Sequence, residues 1–107
     1  MTFKEQLTTK AEQLNVEKDV NYIKGRMEEF YSKREYTISL IKAHTRMAIG
    51  SANSNRTSLF VPVGISPTEY RKLFVDAFRD LGFTYDDIIM TFTSNEYYDS
   101  YDLILKW

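Results

Sequence analysis

The 107-residue chain contains no cysteine, two prolines, four glycines and one histidine, and each scarcity removes a class of function. Without cysteine there is no disulfide framework, no thiolate nucleophile and no sulfur-ligated zinc site. A single imidazole, His44, leaves little material for a histidine-rich metal centre, so neither a metal nor a cofactor is expected. The glycines Gly25, Gly50, Gly64 and Gly82 are isolated from one another, which excludes a glycine-rich phosphate loop. No apolar run reaches the roughly 18–20 residues that span a bilayer, and the opening MTFKEQLTTK lacks the apolar core of a signal peptide. These two absences lead us to expect a cytoplasmic protein with no membrane partner. Charge of one sign is also missing. Fourteen Lys and Arg against fifteen Asp and Glu leave a formal charge of -1, which rules out a generic polycation that coats nucleic acid.

What is present suits one packed domain over residues 1–107: 43% of the residues are hydrophobic, 15% are aromatic, and the length allows a single core. In the first half, Phe3, Leu7, Ala11 and Leu14 recur at helical spacing, and Asn15 with Asp19 then suggests a break. Val20, Ile23, Met27, Phe30, Ile38, Ile41 and Ala48 continue the helical period, so residues 1–49 read as a helical segment that ends at Gly50. A continuous helix over 17–49 would be about 50 Å long, too long for a domain of this size unless it bends near 32–35 or projects.

The second half, 58–107, reads as a β-α-β-β unit. Residues 59–63 form a β-type run whose Pro62 cannot donate to a ladder, which places it at a sheet edge. Ser66, Pro67 and Glu69 are a cap, a first-turn proline and an acidic third position, and they start a helix over 67–81 that Gly82 stops. Residues 88–93 and 103–107 are β-rich, joined by the tyrosine-dense stretch 94–102 as a wide connection or as outer strand extensions. The expected class is α+β, in the order α-α-β-α-β-β. A mainly antiparallel three-stranded sheet carries the 67–81 helix and the helical N-terminal segment, with the last strand central.

Catalytic material is thin. His44 has no nucleophile or triad partner at a recognisable spacing, and on a helix end it reads as a solvent-facing residue. The adjacent pairs Glu28 with Glu29 and Asp86 with Asp87 diverge in direction instead of converging on a metal, and the second pair reads as a turn entering a strand. The expectation is a protein that is not an enzyme.

The near-neutral charge conceals an uneven layout. Residues 1–57 carry ten basic and seven acidic side chains, whereas residues 58–107 carry four basic and eight acidic ones. The acidic half contains Glu96, Tyr97, Tyr98, Asp99, Tyr101 and Asp102. Tyrosine gives a rigid contact surface with a polar tip, and carboxylates around it match a basic partner surface such as that of a nucleic-acid-handling protein. The first reading is therefore a small accessory or inhibitor protein that binds another protein through these six residues. Small size and richness in Asn, Lys, Ile and Tyr also suit a phage or mobile-element product. The alternative is a nucleic-acid-binding accessory protein in which Lys42, His44, Arg46 and Arg56 contact phosphates while Asn53 and Asn55 reach base edges. A homodimer through the long helix, using Tyr22, Met27, Ile38 and Ile41, is compatible with either reading.

Overall fold

The computed structural model describes residues 2–44, 55–62 and 64–107, apart from the side chain of Glu12. The first element, α1, spans Phe3–Glu29. Thr2 caps it reciprocally: the Thr2 hydroxyl accepts from the Glu5 N–H at 3.2 Å, and the Glu5 carboxylate accepts from the Thr2 N–H at 3.2 Å. The helix passes unbroken through residues 15–19, where a break was expected. Asp19 does not cap a second helix. Its carboxylate accepts a 2.5 Å hydrogen bond from the Tyr70 hydroxyl of the other helix.

The chain leaves α1 through a short 3-10 turn at Tyr31–Lys33 and reverses at Arg34, whose φ of 57° is left-handed. Two bonds to the C-terminal residue hold this position. The Arg34 Nε–H donates to the Trp107 carbonyl at 2.8 Å, and the Arg34 carbonyl accepts from the Trp107 N–H at 3.1 Å.

The helical reading of residues 30–44 is corrected here. Glu35–Ala43 is a strand, β1. Tyr36, Ile38 and Leu40 alternate along it and are fully buried on one face, while Ser39 and Ile41 are buried on the other. The three-residue interval between Ile38 and Ile41 imitates a helical period, but the two side chains lie on opposite faces of a strand. The β-branched Thr37, Ile38 and Ile41 fit a pleated, packed surface better than a helix. A helix bent at 32–35 was one of the two expected arrangements; instead the helix ends at Glu29 and the chain reverses through 31–34 into a strand. The expected end of the helix at 45–50 lies outside the described residues.

β2 spans Arg56–Phe60, α2 spans Pro67–Asp80, β3 spans Ile88–Ser94 and β4 spans Tyr98–Lys106. The order is therefore α-β-β-α-β-β, and the sheet is four-stranded and mixed, arranged β2-β1-β4-β3. β1 runs parallel to β2 and antiparallel to β4, and β4 is antiparallel to β3. The three-stranded expectation fails because β1 was hidden in the helical reading; the α+β class stands. β4 is central as expected, and β2, with Pro62 just beyond its end, is an edge. β2 and β3 are parallel, as a β-α-β crossover requires, and two strands separate them.

α2 starts as its sequence indicated, with the Ser66 hydroxyl accepting from the Glu69 N–H at 3.2 Å and Pro67 in the first turn. Both helices cover one face of the sheet. Val16, Val20 and Ile23 of α1 and Tyr70, Phe74 and Phe78 of α2 meet Tyr36, Ile38, Leu40, Ile88, Leu103 and Leu105 in one core. The homodimer contacts proposed from sequence do not survive this packing. Ile38 and Ile41 are buried in β1 and Met27 packs on the core, which leaves Tyr22 exposed.

Candidate protein-binding surface

β3 and β4 form a hairpin whose turn is residues 95–97. The Asn95 side-chain carbonyl accepts from the N–H groups of Tyr97 and Tyr98 at 2.8 and 3.0 Å, and the Asn95 N–H donates to the Tyr98 carbonyl at 3.0 Å. An Asx turn of this kind closes the chain locally, so most of the polar tyrosine stretch is strand extension and not loop.

The continuous register then separates the six predicted residues. Tyr101 and Asp99 share the face of Leu103, which carries the helices, while Tyr98 and Asp102 point to the opposite face. Tyr101 is a packing residue. Its ring lies 4.9 Å from that of Phe92, with the Arg71 guanidinium 4.9 Å from its centroid. Glu96 and Tyr97 sit exposed at the hairpin tip.

Pairing of β1 with β4 brings the basic and acidic sets together. Lys42 stands opposite Asp99, and Ser39 stands opposite Asp102. The His44 Nε2 lies 3.2 Å from an Asp99 carboxylate oxygen, and the Ser94 hydroxyl donates to the other at 2.6 Å. These contacts hold the Asp99 carboxyl below the usual carboxylate range, with the Ser94 hydrogen bond the larger cause and His44 the next. On the opposite face the Arg56 guanidinium donates to Asp102 at 3.3 Å and to the Ser39 hydroxyl at 3.0 Å. The Ser100 hydroxyl also donates to Asp102, at 3.2 Å. The charge separation read along the sequence is thus partly cancelled in space.

The other candidates for nucleic-acid contact divide similarly. Asn55 does not offer a free amide: its Nδ2 donates to the Glu35 carbonyl at 3.2 Å, which fastens the start of β2 beside β1. Lys42 is exposed. Arg46 and Asn53 lie outside the described residues.

What remains uncompensated is the β3 side of the hairpin. Residues 80–105 contain six carboxylates and no Lys or Arg. Among the described residues, Asp80, Asp86, Asp87 and Glu96 make no ion pair. Asp87 instead closes the turn into β3, its carboxylate accepting from the Thr84 N–H at 2.9 Å, as a turn reading of that pair anticipates. Between these acids, β3 is an edge strand with neither a charge nor a proline, and it exposes Ile89, Met90 and Phe92, the last at 57%. Apart from the Ile88 N–H, which donates to the Tyr85 carbonyl, β3 makes no backbone hydrogen bond outside the sheet ladder among the described residues. The opposite edge, β2, carries Arg56 and is followed two residues after its end by Pro62, both of which discourage strand addition. The uncharged run in β3 is visible in the sequence, but its position at an edge depends on the strand order.

Among the described residues there is no group of three His, Cys, Asp or Glu side chains that could hold a metal ion, and no helix is long and apolar enough to cross a membrane. No family model, curated relative or solved structure matches the chain.

Proposed function

We propose that the chain is a non-enzymatic protein-binding accessory or inhibitor protein that engages a basic segment of its partner through the β3 edge and the hairpin tip. The observation that carries this reading is the juxtaposition in β3 of an open, uncharged apolar edge with carboxylates at both ends that make no ion pair among the described residues, Asp86 and Asp87 before it and Glu96 after it. Open edges recruit extended segments by main-chain pairing, and flanking acids favour a segment with Lys or Arg at its ends. Proteins that handle nucleic acids carry such basic segments, because their own ligand is a phosphate chain.

Within the originally expected set, Glu96 and Tyr97 remain available for contact, whereas Asp99 and Asp102 are engaged inside the sheet. The discriminating variant is therefore Asp86→Lys combined with Glu96→Lys, which alters exposed groups that make no ion pair among the described residues and should leave the circular dichroism unchanged. In affinity capture from the source cell, the wild type should retain a partner that this variant loses, before and after nuclease treatment. Equal recovery by both proteins rejects the surface. Recovery that disappears with nuclease alone assigns the ligand to nucleic acid and rejects the protein-binding reading.

A further inference from the structure

α1 carries two apolar stripes that point in nearly opposite directions. Val16, Val20, Ile23 and Met27 face the core. Phe3, Leu7, Ala11 and Leu14 lie about 165° away around the helix at 100° per residue. The second stripe is exposed, 74% at Phe3 and about half at Leu7 and Leu14; Lys18 and Asn21 then interrupt it before Tyr22, which lies at its margin and is 58% exposed. Residues 2–11 and 13–15 are all exposed, so the first half of α1 projects with nothing among the described residues burying it. A solitary helical stretch of that length is marginal in water and needs tertiary or quaternary support.

Gly25 falls on the same outer face. A Cβ there would meet nothing within 4 Å, so packing inside the monomer does not explain a helix-weakening glycine in α1. The flanking charges are self-complementary. Lys10 and Glu17 lie on one side of the stripe, seven residues apart, and neither makes an ion pair among the described residues.

We infer that α1 pairs with α1 of a second copy of this chain, antiparallel, about a two-fold axis between Gln13 and Leu14. In that register Lys10 of each copy meets Glu17 of the other, so the interface holds two equivalent ion pairs. Leu14 packs on Leu14 at the axis. Phe3 of one copy reaches the open surface at Gly25 and Tyr22 of the other, about 33 Å along the helix. The opposed helix dipoles also favour antiparallel pairing. Because the stripe and the core face point in opposite directions, the two bodies lie on the outside of the helix pair and do not collide. This pairing is independent of the β3 surface and leaves it open.

Sedimentation equilibrium on the full chain tests the proposal. The wild type should give twice the 12.6 kDa chain mass. Leu14→Lys should give a monomer with unchanged β-sheet signal, because Leu14 touches no core residue. Lys10→Glu and Glu17→Lys should each raise the dimer dissociation constant on the order of tenfold, and the double exchange should restore it. Gly25→Leu should weaken the dimer while raising helix content, since the added side chain blocks the seat of Phe3 and replaces a poor helix former. A wild-type mass of 12.6 kDa at the highest soluble concentration overturns the inference. So does a dimer that survives Leu14→Lys, or a Lys10→Glu/Glu17→Lys protein no tighter than the single variants.

Discussion

Replacing Tyr70 by Phe removes one oxygen and should reverse the sign of its effect with pH. The Tyr70 ring is 1% exposed, packed edge-on against Phe74 at 5.1 Å between centroids, and its hydroxyl donates to Asp19 at 2.5 Å across the α1/α2 contact. Phe keeps the ring packing and loses the bond. Asp19 is partly solvated and can turn to water, so the cost near neutral pH is that of one hydrogen bond to a charged acceptor left in water's reach, about 1 kcal/mol. For a domain of this size that is a fall of about 4–8 °C in the midpoint of thermal unfolding.

Above neutrality the balance changes. Burial, and then the Asp19 carboxylate, push the Tyr70 hydroxyl well above its ordinary pKa. A folded-state pKa raised above the unfolded one means that stability is fully present below about pH 10 and is lost as pH rises past the unfolded value. The wild type should lose about 1.4 kcal/mol per pH unit there relative to Tyr70→Phe, because its unfolded state ionises and its folded state does not. The two stability curves should cross near pH 11, with the Phe protein the more stable beyond it. Urea unfolding of both proteins from pH 7 to 11.5 reads this directly. Equal stability at pH 7 with parallel alkaline limbs would show that the hydroxyl is neither bonded nor buried, and the docking of α1 on α2 would have to be rebuilt.

Two further predictions concern the pairing of acidic and basic strands. Arg56→Ala, Asp102→Ala and the double variant should give a coupling of about 0.2–1 kcal/mol that shrinks with salt, as suits a pair whose arginine is half exposed; additive effects would mean that the contact is not made. The Asp99 carboxyl, whose pKa is lowered in the folded state, contributes stability above the unfolded pKa that is lost as pH falls through the folded one. Its NMR titration midpoint should therefore lie below the usual value of about 3.9, and Ser94→Ala and His44→Ala should each raise it. A normal midpoint would remove both contacts.

Several elements could be read from sequence because their signals are local. The capped start of α2 at Ser66, Pro67 and Glu69 depends on neighbours within one turn, and so do the Asp86 and Asp87 turn and the β-rich runs of β3 and β4. β1 was misread because its evidence is not local. Ile38 and Ile41 satisfy a helical spacing and a doubly buried strand equally well, and the choice depends on whether β2 and β4 lie on either side. The proposed contact residues were limited in the same way. Tyr98 and Tyr101 are three apart and so fall on opposite faces once the stretch is a strand, and Asp99 and Asp102 acquire His44 and Arg56 as neighbours through strand pairing.

By itself the sequence determined the α+β class, the α2 helix with its cap, the central place of β4 and the residue types that are scarce, all of which follow from composition, period and short-range capping. Tertiary structure alone decided the fourth strand, the single face that both helices cover and the internal pairing of the opposite charges. It also decided which apolar groups stay in water, the outer stripe of α1 and the edge of β3. Those depend on which distant segments pair, and pairing is chosen by burial of a common core, a property of the whole chain that no window of neighbouring residues contains.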